Sequence, residues 1–143
     1  MAGGGMALRR PPMPMNIPRR KARWIGVAAI GAVVLLQAFN SFACYHHGLS
    51  GFLSSTAFFV GVPLLPAFVS LALPNPLRAV VPCGFFAPWL ALAYYADCVA
   101  PYEGGGASMI YVAVLMWGTV TSFIGALIAG VLLKGLGIEV TDC

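Results

Sequence analysis

Charge is what this chain has least of. Its 143 residues include eight Lys/Arg and four Asp/Glu, 8% in all, where a soluble domain carries about a quarter. So few charges do not make a surface for water, which excludes an ordinary soluble domain. No Asp, Glu, Lys, Arg or His lies in the central part of any long apolar run. Ion-coupled transporters and proton pumps place an ionisable group at that depth because the group is the mechanism, so proton-driven export is argued against. Paired carboxylates, a Ser/His/Asp constellation, and C-x-x-C or H-x-x-x-H spacings are all missing. Residues 104–106 are three glycines, but no strand precedes them as a phosphate-cradling loop requires, and they read as a linker. These gaps predict a protein that is not an enzyme and holds no cofactor.

What the chain has is hydrophobic residues, 60% of the total. Four runs, residues 24–44, 55–73, 78–98 and 109–133, approach or exceed the ~20 residues that span a bilayer as a helix. They leave no room for a soluble domain. The expected fold is an all-α membrane protein, four transmembrane helices in an up-down bundle. The first run is longer than the apolar part of a signal peptide and is expected to stay as an uncleaved helix. Pro74, Asn75 and Pro76 join the second and third runs tightly, and loops of about ten residues make the other neighbours antiparallel.

Residues 1–23 are rich in Gly, Pro and Met, show no apolar period, and are expected to be a disordered arm. Six of the eight Lys/Arg sit there, Arg9, Arg10, Arg19, Arg20, Lys21 and Arg23; the others are Arg78 and Lys134. All eight share one side if both termini are cytoplasmic, a strong positive-inside pattern. Tyr45, Tyr94, Tyr95, Tyr102 and Tyr111 gather at the outer ends of the runs, and Trp24 marks the inner end of the first. The expected setting is a bacterial cytoplasmic (inner) membrane, with residues 134–143 as a short cytoplasmic tail. The basic arm then meets anionic lipid headgroups. Nucleic acid is not an expected partner, because no aromatic interleaving or folded reader accompanies the basic residues.

Gln37, Asn40, Ser41 and Cys44 stand at i, i+3, i+4 and i+7, one face of the outer half of the first helix. In hydrocarbon such groups must find partners, here Thr119 or Ser122 of the fourth run; the rival use is a path for a small solute. Gly118, Ser122, Ala126 and Gly130, with Gly125 and Ala129, make a small-residue face suited to close helix packing. It lies inside the bundle or between protomers. Pro63 and Pro66 near the middle of the second run, and Pro82 and Pro88 in the third, are expected helix breaks. Paired breaks of this kind shape packing or frame a binding site.

Cys44 and Cys98 end the first and third runs at similar depth on the outer side. A disulfide between them is possible only if those helices are neighbours, because it needs Cα atoms within about 7 Å. His46, His47 and Asp97 share that side and are the weak metal-ligand set. Three functional classes follow: an accessory or structural subunit of a membrane assembly, by self-association or with other subunits; a small-solute transporter or channel; and an external thiol-redox or metal-handling protein.

Overall fold

The computed structural model describes residues 14–100, 103 and 109–141. A short strand β1 (Met15–Pro18) leads into α1 (Arg19–Phe39), which widens into a π-helical turn over Asn40–Cys44. Then come α2 (Leu49–Phe59), α3 (Leu65–Ala72), a 3-10 turn (Pro76–Ala79) and α4 (Val80–Tyr94), which ends in a second π-helical turn, Tyr95–Val99. Helix α5 (Ile110–Gly135) and strand β2 (Ile138–Thr141) complete the order. Among the described residues, three segments are long and apolar enough to cross a membrane: Arg19–Cys44, Pro76–Val99 and Ile110–Gly135.

The second expected span is the departure. Residues 55–73 are not one helix but the end of α2, a turn over residues 60–64, and α3. Neither helix alone reaches across ~30 Å of hydrocarbon at 1.5 Å per residue. Pro63 sits in the turn and Pro66 in the first turn of α3, where its missing N–H costs little. Gly61 is needed there, since a Cβ on it would fall 2.3 Å from the Ala57 carbonyl oxygen. The break lies where the prolines predict, yet it is deeper than a kink. In α4 the outcome is the opposite. Pro82 is near the helix start and Pro88 lies within α4, and the helix runs on past both.

The arm also needs correction. Met15 to Pro18 pair in parallel with Ile138 to Thr141, and Arg19 to Arg23 already belong to α1. The residue pattern hides this because the pairing joins opposite ends of the chain. Ile17, Ile138 and Val140 cover a small apolar cluster of Ala22, Leu77 and Leu133, which supplies the burial a two-stranded ribbon lacks on its own. Residues 1–13 of the arm, the linker glycines 104–106, and Asp142 and Cys143 of the tail lie outside the described residues.

Large apolar side chains stand exposed on the long helices, Leu127 at 81%, Val131 at 75% and Leu35 at 71%, while Asn40 and Ser122 are 0% exposed and Gln37 1%, beside an apolar core. An apolar exterior around buried polar groups is the distribution a bilayer favours, because polar groups there must be satisfied within the protein. The main core, including Ile30, Val33, Leu64, Ala67, Phe86, Leu90 and Val114, draws on α1, α3, α4, α5 and the α2–α3 turn. Helix α4 packs against both α1 and α5.

The small-residue face of α5 is spent on this packing. Gly118, Ser122, Gly125 and Ala129 are buried. A methyl on Gly118 would meet Phe86 at 2.6 Å, one on Gly125 would meet the Pro82 Cα at 3.1 Å, and one on Gly130 would meet the Arg78 guanidinium at 2.8 Å. Ala126 borders the same face, partly buried. Of the two places expected for this face, its buried members occupy the interior.

Candidate functional site

A polar and aromatic cluster lies at the end of the bundle that carries Cys44 and Cys98, and an open groove runs between α1 and α4.

The polar stripe of α1 points inward. Gln37 Nε2 donates to Ser41 Oγ at 3.3 Å, and Asn40 Nδ2 donates to the Leu90 carbonyl at 3.1 Å. Tyr111, in the first turn of α5, donates its hydroxyl to Gln37 Oε1 at 3.4 Å. Thr119 and Ser122 are not the partners. Thr119 donates to the Leu115 carbonyl of its own helix, and Ser122 Oγ is buried with no hydrogen-bond partner. The reason is depth. Antiparallel helices bring Gln37 level with the start of α5, and Thr119 lies two turns deeper at 5.4 Å per turn. Asn40 Oδ1 is also buried without a partner.

Above the stripe, Cys44 and Cys98 stand at disulfide distance with Cα atoms 5.8 Å apart, which neighbouring α1 and α4 allow. Each cysteine belongs to a π-helical turn, a widening often found at functional positions. The Tyr45 hydroxyl donates to the Asp97 carboxylate and so repeats the link between the same two helix ends. Burial, reinforced by that hydrogen bond and by nearby Tyr111 and Asp97, pushes the Tyr45 phenol above its ordinary range.

His47 stacks on Tyr45, ring centroids 5.6 Å apart. His46 adopts a left-handed backbone, φ 51°. With Asp97 engaged by Tyr45, these three do not form a ligand set; among the described residues no three His, Cys, Asp or Glu converge. Cys83 is free and buried in α4. Phe59 carries no sequence signal for this cluster, and Tyr45 and Tyr111 read in the sequence only as interface markers. The usable signal was the tyrosine clustering, which reads as an interface belt but here also supplies phenol donors to the stripe. These rings, with His47 and Ser55, line a cavity of about 150 Å³.

The groove is apolar, about 360 Å³, and its walls include Ala29, Ala32, Val33, Cys83, Gly84 and Ala87. A Cβ added at Gly31 or Gly84 would meet nothing within 4 Å. Pro88 has no N–H to give the Gly84 carbonyl, so that acceptor loses its regular helical donor. Comparison with family models, with curated proteins and with solved structures finds no match. The geometry alone carries the functional reading.

Proposed function

We propose that this chain is a non-enzymatic integral membrane protein of the bacterial cytoplasmic membrane, a structural subunit that associates with a second copy of itself through the α1/α4 groove. The carrying observation is the groove: small residues on both walls, with open space at Gly84 and at neighbouring Gly31. Membrane helices associate by close backbone approach at such residues, since apolar area gains nothing against lipid. A second copy is the occupant because Ala28, Gly31 and Ala32 present an exposed small face of α1 beside the groove. The α1 of each copy then enters the groove of the other, a self-complementary twofold contact.

The reading includes four spans and cytoplasmic termini. Hydrogen bonds carry the helix across its break, from Val60 to Thr56, Leu64 to Val60 and Phe68 to Leu64, which favours α2 and α3 as one interrupted span. Buried, internally bonded Gln37 and Ser41 count against a solute path. The test is subunit counting by single-molecule photobleaching in bilayers. Dimers are expected for the wild type, and monomers for Ala32→Leu and Gly84→Leu at unchanged thermal stability. A wild type that is monomeric at all protein-to-lipid ratios would sink the proposal.

A further inference from the structure

We propose that the outer cavity is a recognition site for a small alkylammonium cation. The site is independent of the α1/α4 groove. A cavity of about 150 Å³ takes a group of about the size of benzene, which matches a methylated ammonium head.

Its walls have the right chemistry. Tyr45 and Tyr111 lie 5.6 Å apart and inclined at 69°; Phe59 and Tyr111 lie 5.1 Å apart at 63°. These rings pack edge to face with one another, His47 lies stacked on one side of Tyr45, and together they line the cavity. Ring faces carry the negative side of the aromatic quadrupole and attract cations. The Tyr45 hydroxyl donates to the Asp97 carboxylate, which pushes electron density onto that ring and sets an anion behind it.

The charge around the cavity selects the sign of the ligand. The described acidic residues near this end are Asp97 and Glu103, and the described Lys/Arg are Arg19, Arg20, Lys21, Arg23, Arg78 and Lys134, all at the other end. An anion would meet aromatic walls with the Asp97 carboxylate behind Tyr45 and none of the described Lys/Arg to hold it. A neutral polar ligand would find no polar group presented by the walls, since the lining surface is apolar and the Ser55 hydroxyl donates to the Phe52 carbonyl. The cystine-linked helix ends and the Tyr111–Gln37 contact hold the walls in place, so little ordering cost falls on binding.

The experiment is calorimetric titration of the full chain in phosphatidylglycerol nanodiscs. The probes are tetramethylammonium and its neutral analogue 3,3-dimethylbutanol, at constant ionic strength. Tetramethylammonium is expected to bind saturably and about tenfold more tightly than the neutral analogue, the scale of a cation–π contribution. Phe59→Leu is expected to weaken the cation and leave the stripe intact. Asp97→Asn is expected to weaken the cation but not the alcohol. Repeating the titration with phosphatidylcholine in the disc separates two sources of the same chemistry: loss of tetramethylammonium binding assigns the site to a lipid head, and unchanged binding assigns it to a free solute. Equal affinity for cation and neutral analogue, no saturable binding by folded protein, or wild-type binding by both variants would each overturn the site.

Discussion

Asn40 and Ser122 are both fully buried and differ in what they do. The Asn40 amide gives a hydrogen bond to the Leu90 carbonyl across two helices; the Ser122 hydroxyl has no partner. Interhelical hydrogen bonds in membranes contribute about 0.6 kcal/mol on average and up to about 1.7. Asn40→Leu is therefore expected to destabilise by about 1 kcal/mol. Ser122→Ala is expected to be neutral or stabilising, because it removes a buried group that gains nothing. Thermal unfolding in detergent distinguishes the two, and an equal loss in both would contradict the assignment. Tyr45 supplies a pH test. Its folded phenol lies above the unfolded value of ~10, so its contribution to stability is present below about pH 10 and is lost as pH rises through the folded value. Tyrosinate absorbance at pH 11 is expected to be the same in native wild type and native Tyr45→Phe, since Tyr45 stays protonated. A smaller signal in the variant would show that the phenol is not held.

The elements meet by close approach, and glycine is where that can be tested. A methyl on Gly26 would lie 2.8 Å from the Pro76 carbonyl oxygen, whereas one on Gly31 meets open space. Gly26→Ala is expected to cost about 1–3 kcal/mol as overpacking against backbone. Gly31→Ala, five residues along the same helix, is expected to be neutral or up to about 1 kcal/mol more stable by helix propensity. Unfolding midpoints of the two variants check the contrast. Much of this scale was legible beforehand. Apolar run length gave the three long helices, Pro63 and Pro66 marked the break, and the shared depth of Cys44 and Cys98 left their pairing open until α1 and α4, adjacent in the fold, bring their Cα atoms to 5.8 Å. Other parts were not legible. Pairing of Met15 to Pro18 with Ile138 to Thr141 joins residues more than a hundred positions apart, beyond any local pattern. The partner of Gln37 depends on the relative depth of two helices, which hydropathy does not set to within a turn. The groove at Gly84 depends on which faces of α1 and α4 the bundle leaves uncovered, which no local pattern sets.

At the scale of the whole molecule, the placement of charge and of the cysteine pair both support the proposed orientation. The 3-10 turn carrying Arg78 packs between the start of α1 and the inner half of α5: Pro76 and Ala79 abut Gly26, and Arg78 abuts Gly130. Arg19, Arg20, Lys21, Arg23, Arg78 and Lys134 thus gather at the end closed by β1 and β2. Positive charge near span ends is retained in the cytoplasm. At the far end stands the Cys44–Cys98 pair, and disulfides persist in oxidising compartments outside it. Insertion electrostatics and redox chemistry are independent constraints on which end faces the cytoplasm. Alkaline phosphatase joined after residue 143 is expected to be inactive and a fluorescent protein there to be bright, with the reverse for insertions between residues 99 and 109. In intact cells, Cys44 and Cys98 are expected to resist a membrane-impermeant maleimide until a reductant is added, then to label together. An active phosphatase at the C-terminus would invert the molecule and place the cystine in a reducing space, where it would not persist.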